Sequence, residues 1–171
     1  MKVVSLRDIF ADSEQFGGQE LVLQGWLRNV RIQKHLAFAQ MGDGSIFDPI
    51  QLVFSQDEIH DFDRVNELSV GASVEVKGEL ILTPEAKQAF ELRVKDFTLV
   101  GDSPEDYPLQ AKRHGPEFLR SIQHLRPRTN LSQAVFRIRS EAAIAIHEFF
   151  HNQDFIWVHT PIITAMDGEG A

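Results

Sequence analysis

A small, mainly β barrel followed by an appended helical segment is the fold class these 171 residues predict, on three observations. Five short runs rich in β-branched and aromatic residues occupy the first hundred positions, separated by turn-forming clusters. Prolines and glycines then punctuate residues 101–128. Beyond them, apolar residues recur at helical spacing. With 43% hydrophobic content, the chain can bury one sizeable core, or one core plus a smaller appended piece.

The expected strands are Leu21 to Val30, Leu36 to Met41, Ile50 to Phe54, Val74 to Leu82 and Phe90 to Val100. Gly42-Asp43-Gly44-Ser45 is a strong turn signal between the second and third, and Pro84 marks the break before the fifth. Between the third and fourth, Ile59, Phe62, Val65 and Leu68 recur every three residues, which fits a short helix packing one face. Five strands with a helix after the third is the order of an OB-fold, a small barrel whose face binds oligonucleotides. An SH3-like barrel competes on pattern alone.

Residues 101–128 carry Pro104, Pro108, Pro116 and Pro127 with Gly101 and Gly115, and read as a linker or hinge. A helix follows: Asn130 can cap it with Gln133 three residues on, and Val135, Ile138, Ala142, Ile146, Phe149 and Phe150 form its apolar positions. Phe155 to His159 is aromatic and β-branched, as a buried strand would be, and Pro161 ends it or puts it at an edge. The expected organisation is therefore a barrel over 1–100, a hinge over 101–128 and a helix plus strand over 129–171.

Composition narrows the function classes. The absence of cysteine excludes a disulfide framework and thiolate metal sites. The start MKVVSLRDIF is too short and too charged for a secretory signal, and no apolar run approaches a membrane span, so a cytoplasmic protein without a membrane partner is expected. The net charge of −8 is uneven: residues 1–100 hold 10 Lys/Arg against 16 Asp/Glu. Between Gln110 and Arg139, by contrast, Lys112, Arg113, Arg120, Arg126, Arg128, Arg137 and Arg139 face the single acid Glu117. Such a local excess can contact phosphate, although a solvated face explains any one of these residues equally well.

One motif points elsewhere. His147-Glu148-Phe149-Phe150-His151 is an HExxH pattern on an expected helix, the arrangement with which zinc hydrolases hold a metal and activate its water. Glu169 could be imagined as a third ligand. Three fixed positions in five recur readily by chance, and no metal site is expected here.

A long helix, a strand ending in Thr160-Pro161 and then Glu169-Gly170-Ala171 resembles motif 1 of the class II aminoacyl-tRNA synthetases. The wording HLRPRTN followed by FIWVHTPIIT, with Asp43 to Pro49 and Tyr107 to His114, is similar to the asparaginyl-tRNA synthetase family in its N-terminal portion, as far as just past motif 1. Gly25 to Arg31, Ala37-Phe38-Ala39 and Phe47 to Gln51 look like the anticodon-binding barrel of the class IIb enzymes for aspartate, asparagine and lysine.

The resemblance implies roles. Phe38 would stack on the central anticodon base, a uridine, while Gln51 and Arg31 read or clamp it. The residues independently allow this: a surface ring can stack on a base, and a glutamine offers both a donor and an acceptor to a uracil edge. Phe38 as a plain core residue is the alternative. Trp26 is expected to pack at the barrel rim. Further tRNA contacts could come from Arg28, Lys34, Lys112 and Arg113. Motif 1 implies a homodimer interface through Phe136, Phe149, Phe150 and Pro161, and Glu169 matches the start of a loop that closes over the amino acid. The implied partners of the whole enzyme are tRNA(Asn), asparagine and ATP, with ATP and Mg2+ as cofactors.

None of these residues is expected to be catalytic, and no cofactor is expected in these 171 residues. Motifs 2 and 3, which build the ATP site, do not occur among them, so alone they are expected neither to adenylate asparagine nor to charge tRNA. The competing reading is a stand-alone module binding tRNA or single-stranded nucleic acid without catalysis.

Overall fold

A computed structural model of the chain describes residues 3–86, 88–160 and 163. Alternation of apolar and polar residues produces five strands: β1 (Glu20–Ile32), β2 (Leu36–Gly42), β3 (Ile50–Ser55), β4 (Ser73–Leu82) and β5 (Phe90–Gly101). They close into a barrel in the order β1-β2-β3-β5-β4, with β4 pairing back to β1. Every ladder is antiparallel except the short parallel one between β3 and β5. This is the expected OB-fold, and each observed strand overlaps its expected range to within two residues at either end.

The inward residues of each strand, among them Leu23, Leu27, Met41, Leu52, Phe54, Leu80 and Leu92, form one buried core. After β3, the spacing-of-three pattern forms a 3₁₀ helix, Phe62–Glu67, whose period is three. Val65 within it and Ile59 and Leu68 beside it are buried against the barrel.

Two short helices ahead of β1 were not expected from the sequence: α1 (Leu6–Ala11) and α2 (Ser13–Phe16). Six and four residues are too few for a helical period to declare itself. Leu6 and Ile9 of α1 nevertheless enter the core, and the Leu6 N–H donates to Asp43 Oδ2 at 2.7 Å, so the β2–β3 loop holds the start of that helix.

Contacts divide the chain into two units, Met1–Arg128 and Thr129–Ala171. Residues 101–128 lie in the first. They include α3 (Pro116–Ser121), started by a proline at its first turn, and they bury Tyr107 and Leu119. The Tyr107 ring lies against Gly71, where a Cβ would meet Cε1 at 2.6 Å and the backbone φ of +95° favours glycine in any case. The Tyr107 hydroxyl accepts from Arg128 Nη1 at 3.0 Å.

In the second unit α4 (Asn130–His151) is capped by Thr129, whose hydroxyl accepts from the Ser132 N–H at 3.4 Å. The expected cap, Asn130, is already the first helical residue. The helix stops where Asp154 adopts a left-handed φ of 63° and the Phe155 N–H turns back to the Phe150 carbonyl. Phe155 to His159, expected as a buried strand, is instead without a ladder among the described residues and exposed, Ile156 to 87%. A strand is made by its neighbour's hydrogen bonds, and no described residues supply one here.

Candidate nucleic-acid interface

Strand alternation decides which side chains face outward. Along β2, Ala37, Ala39 and Met41 point into the core, so Phe38 and Gln40 point out. Cross-strand register then selects their neighbours: Arg31 on β1 stands opposite Phe38, Asn29 opposite Gln40, and Gln51 on β3 opposite Gln40. Directly opposed side chains lie within about 5.5 Å at Cβ, so these residues share one surface.

That surface is an open concavity of about 300 Å³, lined by Asn29, Arg31, Phe38, Ala39, Gln40 and Gln51. The three residues expected to meet the central base, Arg31, Phe38 and Gln51, all line it. Phe38 is half-buried. The Gln51 amide is oriented, because its Nε2 donates to Glu91 Oε2 on β5 at 3.2 Å. A carboxylate only accepts, so the amide nitrogen must face Glu91, which leaves Oε1 and the second amide hydrogen for another partner. The walls therefore combine an aromatic face, an oriented amide and a guanidinium.

Asn29, Gln40 and Glu91 belong to this neighbourhood and were not singled out in the sequence. Outward alternation on β1 and β2 could have flagged the first two. Glu91 could not have been found that way, since it reaches Gln51 only because β5 lies beside β3.

The remaining candidates are placed differently. Arg28 sits at the irregularity between Leu27 and Asn29 in the β1–β2 ladder, and its Nη1 donates to the Phe47 carbonyl at 2.8 Å. Burial pushes its guanidinium below the usual arginine value, and the charges of Asp43 and Asp48 oppose that shift. Gly42 makes room for it: a Cβ there would lie 2.7 Å from Arg28 Nε. Arg28 thus binds the β2–β3 loop to the barrel. Lys34 is exposed in the β1–β2 turn, and Lys112 and Arg113 are exposed in the loop before α3. Trp26 is 40% exposed and lies under the Arg128 guanidinium, 5.0 Å from the ring centroid.

On α4, Phe136, Phe149 and Phe150 are 43%, 62% and 47% exposed, and no residue of that helix is buried. His147 packs its ring against Trp157 at 4.9 Å. Among the described residues no group of three or more His, Cys, Asp or Glu side chains could hold a metal ion. Pro161 and Glu169 lie outside the described residues.

Comparison with known proteins agrees with this geometry. Residues 21–100 match the family of OB-fold nucleic acid binding domains, and residues 116–171 match the class II tRNA synthetases (D, K and N). The chain is 55% identical over 168 residues to the asparagine–tRNA ligase of Acholeplasma laidlawii, which takes in 98% of this chain and 36% of that protein. It is 48% identical over all 171 residues to that of Alkaliphilus oremlandii, covering 37% of it. The chain thus spans a little over a third of the length of these curated relatives. In fold it is similar to the crystal structure of asparaginyl-tRNA synthetase from Pyrococcus horikoshii, with a TM-score of 0.82 at 20% identity over 95% of this chain and 38% of that one. With a barrel of the expected topology, both family models in order and near-50% identity from end to end, the chain is similar over its whole length to the N-terminal portion of asparagine–tRNA ligases.

Proposed function

We propose that the β1–β2–β3 face binds the anticodon of tRNA(Asn), with Phe38 stacking on the central uridine, Gln51 meeting its edge and Arg31 clamping it. The supporting observation is that these three residues, from three strands, line one concavity. A half-buried ring gives a base a rigid platform, and an amide turned by Glu91 presents a defined hydrogen-bonding pattern to uracil. Lys34, Lys112 and Arg113, being exposed, are the further phosphate contacts in this reading, whereas Arg28 acts by holding the loop. We divide the chain into an anticodon-binding barrel over 1–100, a connecting hinge over 101–128 and the start of a catalytic domain from 129.

In the same reading the longer protein activates asparagine with ATP and Mg2+ and transfers it to tRNA, works as a cytoplasmic homodimer, and uses the apolar side of α4 with Pro161 as dimer surface. Glu169 begins its amino-acid loop. The described residues form no carboxylate or histidine cluster for Mg2+, and no step through ATP or the metal is assigned to them. No helix among them is long and apolar enough to cross a membrane.

The test is binding of this chain to the tRNA(Asn) anticodon stem-loop and to one with the central uridine changed to cytidine. The altered loop should bind more weakly by about 1–3 kcal/mol. Affinity for both should fall with salt, since phosphate contacts release counterions. Equal affinity for the two loops would end the assignment.

A further inference from the structure

The parallel ladder between β3 and β5 is short, running over Leu52↔Leu92, Val53↔Arg93 and Phe54↔Val94. Gln51 lies one residue before it begins. There a side chain takes over from the backbone: the Gln51 N–H donates to Gln88 Oε1 at 3.2 Å, and Gln88 Nε2 donates to the Pro49 carbonyl at 3.0 Å. One planar amide thus supplies an acceptor and a donor to the edge of β3, as a peptide unit of a longer β5 would. Gln88 is itself held in the β4–β5 turn, where the Thr83 hydroxyl donates to its carbonyl at 2.9 Å and the Thr83 N–H donates to the Ala89 carbonyl at 2.7 Å.

This contact sits under the base-binding face. On its other side the start of β3 is held by β2, through Gln40↔Gln51 and Met41↔Ile50. Without Gln88, the side-chain bond from Gln51 to Glu91 would remain on the β5 side of that segment among the described residues. We propose that Gln88 is a positioning residue for base recognition: its amide adds a rung to the β3–β5 ladder and so fixes Gln51 beside Phe38 and Arg31. The inference rests on the anticodon-binding reading of this face and extends it to a residue that does not line the concavity.

Gln88→Met keeps the length of the side chain and removes both the donor and the acceptor. Gln88→Glu keeps an acceptor for the Gln51 N–H but sets a carboxylate against the Pro49 carbonyl. Each variant and the parent would be titrated with the matched stem-loop and with the uridine-to-cytidine loop, and hydrogen exchange of the Gln51 N–H followed by NMR. Losing a hydrogen-bonded rung should reduce the matched-to-mismatched affinity ratio about three- to tenfold in Gln88→Met. Exchange at Gln51 should quicken, and the salt dependence of binding should stay as in the parent. Gln88→Glu should protect Gln51 better than Gln88→Met does while still discriminating less than the parent. If the parent discriminates and both variants keep its ratio and its Gln51 exchange rate, the positioning role is wrong and the base reading survives. If the parent itself does not discriminate, the base reading fails and takes this inference with it.

Discussion

Replacing Phe38 by leucine separates stacking from packing. Phe38 is half-buried on β2, opposite Arg31 on one neighbouring strand and Val53 on the other, and lines the concavity. Leucine retains most of the apolar contact with the strands but offers no planar face. Base–aromatic stacking is worth about 1–3 kcal/mol. At about 1.4 kcal/mol per tenfold, Phe38→Leu should weaken stem-loop binding by roughly 5- to 150-fold. The barrel should lose little stability, because a conservative apolar exchange at a half-exposed site costs at most about 1.5 kcal/mol. Fluorescence anisotropy with a labelled stem-loop gives the first quantity and urea unfolding the second. Parent-like affinity combined with a clear loss of stability would refute the reasoning and make Phe38 a packing residue.

Gly42→Ala should destabilise the barrel by about 1–3 kcal/mol, because the new methyl meets Arg28 Nε at 2.7 Å; urea midpoints should show the penalty shrinking in an Arg28→Met background, where the obstruction is gone. On the barrel wall, Lys95 Nζ lies 2.8 Å from Glu20 and 3.4 Å from Glu79. The hydrogen bond from Lys95, then its charge, holds the Glu20 carboxyl below the usual carboxylate range, and the bond to Glu20 helps raise Lys95 above the usual lysine range. The Glu20 contribution is present above the unfolded carboxylate pKa and lost as pH falls through the depressed folded value. That of Lys95 is present below the unfolded lysine pKa and lost as pH rises through the raised one. Lys95→Met should therefore flatten both the acid and the alkaline limbs of a stability–pH profile measured by unfolding, with an unchanged profile counting against the triad. For α4, sedimentation of the parent at micromolar concentration should give a dimer and a Phe149→Asp/Phe150→Asp variant a monomer, since a carboxylate in an apolar contact is strongly disfavoured. A monomeric parent would count against α4 as an interface.

Much of the barrel was legible because its signals are local. Alternation along Leu36 to Met41 marks a strand with one buried face, and the Gly42 to Ser45 turn separates it from the next. Where an element is short or depends on something distant, the sequence was silent or misleading. Leu6 and Ile9 are too few to reveal a helix, and α1 is held in place by Asp43, 37 residues away. Phe155 to His159 has the composition of a strand but no partner among the described residues. Arg28 resembles any basic residue near a binding face until its bond to the Phe47 carbonyl identifies it as a loop anchor.

By itself the sequence determined where the five strands run and the likeness to asparagine–tRNA ligases, because alternation, turn chemistry and wording are all written along the chain. Only the tertiary structure decided that Arg31, Phe38 and Gln51 meet in one concavity, and that Glu91 on β5 and Gln88 in the turn before it bond to Gln51. The physical reason is register: residues 7 to 40 positions apart become neighbours only when strands pair, and a slip of one residue would turn a strand's side chains to the opposite face of the sheet.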